Sequence, residues 1–119
     1  MNLNKLIDKI KNHQDYKKAG MILCHIGVVR ETSGNGKKVS GLKVHVDHEK
    51  LRNVTDLYKK RPGIIEILIE IAENKKLSVG DHVMHLVVAG DIRENVISTL
   101  TDTLNAVKQK VTQKTEFFV

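Results

Sequence analysis

The chain has 119 residues, enough for one domain spanning residues 1–119 that buries a core without disulfides or metals. A formal charge of +6 points to an anionic partner, whereas 3% aromatics and no Trp argue against single-stranded nucleic acid, which needs stacking platforms. No apolar run reaches the length of a membrane span, the single Cys24 cannot close an internal disulfide, and no signal peptide is expected, so a cytoplasmic protein is the expectation.

Leu3, Leu6, Ile7 and Ile10 recur with helical spacing among lysines, which predicts a helix over 3–16. Lys17–Gly20 breaks it. Met21–Arg30 is an apolar strand, and Gly27 within it marks a bulge or a close backbone approach. Residues 31–38 form a flexible Gly/Asn/Lys loop. Val39–Asp47 alternates apolar and polar residues, as a half-exposed strand does. Asp47 is placed to cap a helix over 48–60 with Leu51, Val54, Leu57 and Tyr58 inward, and Arg61-Pro62-Gly63 stops it. Ile64–Ala72 is a β-rich run. After a loop at 73–76, Leu77–Val79 leads through the Gly80-Asp81 turn into a buried strand at 83–89. Gly90 and Asp91 end that strand. Asp91 stands where an N-cap belongs, with Glu94 three residues on. Val96, Ile97, Leu100, Leu104, Val107 and Val111 then carry one long helix. The tail 115–119 is a short strand or loose. The order α-β-β-α-β-β-α predicts an α+β fold, a largely antiparallel sheet with helices packed on one face.

Few side chains suggest chemistry on their own. The six histidines form no cluster with Cys or carboxylates at ligand spacing, so no metal site is expected, and no cofactor. The pairs His45/His48 and His82/His85 start in strands, where positions three apart face opposite ways. Cys24, mid-strand, reads as a buried inert thiol. The loop Ser33–Lys38 lacks the spacing of a phosphate-binding P-loop and reads as a solvated hairpin loop. Arg30 closes the first strand at the mouth of that loop. Arg93 lies in the first turn of the last helix, where a cation opposes the helix dipole. Lys108 and Lys114 follow near the chain's end.

The segment Ala19-Gly-Met-Ile-Leu-Cys-His-Ile-Gly-Val-Val-Arg30, followed by a Gly/Asn loop, resembles a motif of the large, catalytic subunit of molybdopterin synthase. So does Val79-Gly80-Asp81-His82-Val83, then a valine strand, an arginine at a helix start, and Val107-Lys108. The resemblance covers roughly residues 19–116. It implies an α/β-hammerhead fold and a homodimer. It implies a small ubiquitin-like sulfur-carrier subunit whose C-terminal Gly-Gly thiocarboxylate enters the active site. It implies transfer of sulfur to cyclic pyranopterin monophosphate, forming the dithiolene of molybdopterin. Arg30 and Arg93 fall on the family's anion-binding arginines, Lys108 on its catalytic lysine, and Lys114 on its second lysine, with Glu116 as the neighbouring glutamate. The chain departs from the pattern in having Ile92 where the family has His, in lacking the Pro and Trp near the second lysine, and in a shorter tail.

Arg93 and Lys108 are fifteen residues apart on one predicted helix, so roughly 22 Å apart. They can serve one small substrate only across a two-fold dimer. The other reading is a non-catalytic paralogue or a basic module binding nucleic acid or protein. It rests on the +6 charge and on Ile92. Against its nucleic-acid form, the lysines scatter over several elements without a recognisable motif.

Overall fold

The computed structural model describes all residues, 1–119. Its helices are α1 (Leu3–Lys11), α2 (His48–Lys59) and α3 (Arg93–Ala106). Its strands are β1 (Met21–Val28), β2 (Val39–Val46), β3 (Ile64–Ile71), β4 (Leu77–Ser78), β5 (His82–Gly90) and β6 (Thr112–Phe118). Two antiparallel three-stranded sheets result, ordered β1-β5-β3 and β4-β2-β6. No helix is long and apolar enough to cross a membrane.

β5 is the centre of the first sheet, and its apolar run is buried because it is covered on both faces. Leu86 and Val88 join the main core with Val44, Val54, Ile67, Val96 and Val107. Val87 and Ala89 point the other way, to Leu6 and Ile10 of α1. The helices therefore lie on both faces of this sheet, not on one as the element order suggests. α1 is the cover of the second face, because its narrow apolar stripe has nowhere else to bury.

Several boundaries differ from the sequence expectation for local reasons. α1 ends at Lys11, five residues before Tyr16, because the apolar stripe ends at Ile10. The polar turn beyond it is held by the Asp15 amide donating to His13 Nδ1 at 3.0 Å, and a single 3₁₀ turn, Tyr16–Lys18, follows. Asp47 does cap α2, accepting from the Lys50 amide at 3.1 Å. Asp91 does not cap α3. Ile92 is the N-cap residue, and Asp91 Oδ1 instead accepts from the Ile92 amide at 2.7 Å and from Asn95 Nδ2 at 2.9 Å. These bonds hold the Asp91 carboxyl below the usual range, the Asn95 bond contributing most. Leu57 and Ile97 are exposed. The buried face of α3 runs instead through Val96, Thr99, Thr103 and Ala106. Cys24 is exposed, not buried.

Leu77–Ser78 leads through the Gly80-Asp81 turn into β5, as the sequence suggests, but it is also a short strand of its own, β4. It pairs with Gly41 and Leu42 of β2 in the second sheet, and Gly80, at φ +91°, turns the chain back. The tail is a full strand, β6, paired with β2 from Val46↔Thr112 to Val39↔Phe118.

Gly27 does mark a bulge, but the extra residue is in β5. Ile26 pairs with His85, and Val28 pairs with His82 instead of Val83. The inserted residue turns His82 onto the face of His85, so two histidines expected to diverge meet, with Nδ1 of His82 and Nε2 of His85 at 2.9 Å. His85 is 4% exposed and its Nδ1 has no partner. Burial, then His82, then the N-terminal amine lower its pKa, against an opposing effect of Glu70. A lowered folded-state value means that the unfolded chain binds more protons as pH falls below about 6.5. Stability is therefore retained above about 6.5 and lost as pH falls toward the folded-state value. Calorimetric melting temperatures should decline from neutral toward acid pH, and less steeply in His85→Phe. An unchanged slope in that variant would show that His85 is not a source of the decline.

Candidate active site

Between the two sheets lies an open cleft of about 680 Å³, within the range of small-molecule sites. Its floor comes from β1, where Gly27 denies it a side chain. Its wall comes from β6 and from the end of α3. Three of the four cations singled out in the sequence line it: Arg30, Lys108 and Lys114. Glu116 lines it too.

Each cation arrives there for a traceable reason. β6 pairs with β2 so that Thr112, Lys114 and Glu116 lie opposite Val46, Val44 and Leu42, whose side chains face inward. Alternation along the strand thus aims all three into the cleft. Lys114 Nζ stands 4.0 Å from Glu116 Oε1, a loose pair that orients the amine without neutralising the cleft.

Lys108 sits on a π-helical turn, Val107–Val111, that ends α3. Val107 and Val111 are buried and anchor the turn, while Lys108, Gln109 and Lys110 are exposed. The wider turn widens the spacing and lets the chain pass directly into β6 at Thr112. Such turns recur at functional sites. Lys108 lines the cleft and Lys110 does not.

Arg30 follows β1 at the mouth of the loop 31–38. That loop is a hairpin loop, closed by a bridge between Thr32 and Lys38. It is less solvated than its composition suggests. Ser33 is buried, accepts from the Lys37 amide at 3.1 Å, and contacts the Asn35 side chain. Ser33 and Gly34 line the cleft together with Arg30.

Arg93 is not in this cleft. It starts α3, at the far end from Lys108, with its side chain 80% exposed and only a 3.9 Å contact to Glu94. Ile92 beside it is exposed as well.

Sequence reasoning gave His25 no role. It lines the cleft on β1, and burial followed by the charge of Lys108 lowers its pKa. The only signal was a histidine inside an apolar strand whose neighbours at alternate positions, Met21 and Leu23, face the core. No group of three or more His, Cys, Asp or Glu side chains is placed to hold a metal.

This arrangement suits an anionic ligand: three cations, one carboxylate and one imidazole around an apolar floor. The same two-sheet architecture is found in solved molybdopterin-related proteins. The chain is similar to "Molybdopterin Synthase from Staphylococcus aureus", at 21% identity and a TM-score of 0.73, over 87% of this chain and 77% of that one. It is similar to "Molybdopterin cofactor biosynthesis protein E from Burkholderia multivorans", at 20% identity and a TM-score of 0.76, over 100% and 84%. A third similar structure, at 15% identity and a TM-score of 0.71 over 100% and 84%, is the complex of subunits 1 and 2 of the molybdopterin-converting factor from Helicobacter pylori. No curated protein matches. The model of the family described as MoaE protein matches residues 2–110, and the chain belongs to that family.

Proposed function

We propose that this chain is the catalytic subunit of a cytoplasmic molybdopterin synthase, acting in molybdenum cofactor biosynthesis. It takes sulfur from the C-terminal thiocarboxylate of a small ubiquitin-like carrier and transfers it to cyclic pyranopterin monophosphate, giving the dithiolene of molybdopterin. The observation that carries this reading is the meeting of Arg30, Lys108 and Lys114 in one cleft of a MoaE-family chain. The two-subunit complex from H. pylori supports a small-subunit partner.

Arg30 holds the substrate phosphate, since its planar fork matches phosphate oxygens. Lys108 acts at the reacting carbon, as acid/base or by transient covalent attachment. Lys114, oriented by Glu116, assists it. Arg93 joins the site only from the partner of a homodimer, because within one chain it stands at the other end of α3.

Calorimetric titration with cyclic pyranopterin monophosphate tests the binding half of this reading. Arg30→Ala should weaken binding about tenfold, the scale of one charge-assisted pair at an open site. Equal affinity for wild type and variant would remove Arg30 from the site. Light scattering should give a dimer, and a strict monomer would rule out the contribution of Arg93.

A further inference from the structure

We propose that the His25 imidazole is the proton acceptor of this cleft, activating the water that frees the carrier from the sulfur it has delivered. The proposal rests on the sulfur-transfer reading above. Once the thiocarboxylate sulfur is bonded to the pterin, it still holds the carrier through an acyl–sulfur bond. Water attacks the acyl carbon. The C–O bond forms and the C–S bond breaks, its electron pair leaving on sulfur as the pterin thiolate. One water proton passes to His25. The other leaves the new carboxylic acid, so the carrier departs as a carboxylate. His25 then returns its proton to solvent.

The placement of His25 supports this role. β1 pairs it with Leu86 of β5, on the face that carries Met21 and Leu23 into the core, so the ring belongs to the interior side of the sheet. Its Nε2 lies 3.5 Å from where a Cβ on Gly27 would stand. The ring thus lies beside the Gly27 backbone at the cleft floor, with the Val83 side chain also against that glycine. Only burial and the charge of Lys108 act on the imidazole, with no hydrogen bond to either ring nitrogen. Both influences favour the neutral, proton-accepting form.

The other charged groups facing it cannot fill the role. Arg30 from the loop mouth is a donor only and is engaged with the substrate phosphate, and Lys108 from the π-helical turn is engaged at the reacting pterin carbon. Lys114 and Glu116 from β6 are turned toward each other. β5 presents only Val83 and Met84 to the cleft, and β2 only apolar side chains. Histidine is the side chain whose ordinary titration falls between pH 5 and 8, where such a base must work.

The test is a pH profile of dithiolene formation by the protein reconstituted with thiocarboxylated carrier and cyclic pyranopterin monophosphate, for wild type and His25→Ala. The wild-type kcat should fall on the acid side as the imidazole protonates. His25→Ala should lose about a hundredfold in kcat with KM for the pterin little changed, should lose that acid limb, and should regain activity when imidazole is added. A structural role would move the melting temperature or KM but would leave the limb in place. Product formed by His25→Ala with the wild-type kcat, or with the acid limb intact, would overturn the proposal alone. No product from the wild type at any pH would overturn the sulfur-transfer reading, and this role with it.

Discussion

Lys108→Ala should lower dithiolene formation by about 10³-fold or more, the scale expected when a general base or nucleophile is lost. Lys110→Ala should stay close to wild type. The two lysines share one π-helical turn and one charge and both are exposed, yet only Lys108 lines the cleft with Arg30 and Lys114. Its stem can run along the turn while its amine reaches the substrate. Neither substitution opens a cavity or strands a partner, so each should shift stability by no more than about 0.5 kcal/mol. The pair therefore separates chemistry from fold. Equal activities would show that Lys108 is only a solvated residue at a helix end, and its catalytic assignment would fail.

Leu86→Ala should cost about 2–5 kcal/mol, against a typical total of about 5–15 kcal/mol. Leu86 is 0% exposed, and it sits between His25 of β1 and Ile69 of β3 at the centre of the first sheet. Close packing there leaves no side chain free to fill the gap. Urea unfolding should give a lower midpoint at an unchanged slope. Ile97→Ala is the comparison, because Ile97 is an apolar residue of the predicted α3 stripe that proves 46% exposed. It should cost well under about 1 kcal/mol. Similar losses for the two would show that the core does not lie where β5 places it.

Those two residues also mark what the sequence could and could not tell. Leu86 sits in an apolar run of strand length, 83–89, interrupted only by His85, and a run buried on both faces needs no periodicity to be recognised. Ile97 belongs to a helix with threonines on its buried face. Thr99 and Thr103 are 1% and 0% exposed, so the polar residues pointed the wrong way. β4 was missed because two residues carry no pattern. The tail 115–119 read as a short strand or as loose, and β6 from Thr112 was not foreseen at its full length, because its inward positions are Thr112, Lys114 and Glu116, polar groups that belong to the cleft and not to a core. The change from α3 to the π-helical turn was hidden, since apolar residues at 100, 104, 107 and 111 continue the helical spacing across it.

The site was legible in part. Arg30, Lys108 and Lys114 stood out only through resemblance to a family, since each alone reads as a surface cation. What gathers three of them is the pairing of β6 with β2 beside the end of β1, a long-range contact that no local pattern encodes. The distance along α3 did foretell that Arg93 would lie apart from Lys108. His25 stayed hidden because its significance is its neighbour Lys108, eighty-three positions away in the chain and adjacent only in the fold.

Reconstitution tests the central claim most directly. The purified chain is mixed with a thiocarboxylated small carrier and cyclic pyranopterin monophosphate, and the pterin product is analysed by mass spectrometry. The account predicts a dithiolene product whose two sulfurs come from the carrier, with none formed when the carrier ends in a plain carboxylate. A chain that binds both carrier and pterin yet leaves the pterin free of sulfur would contradict it.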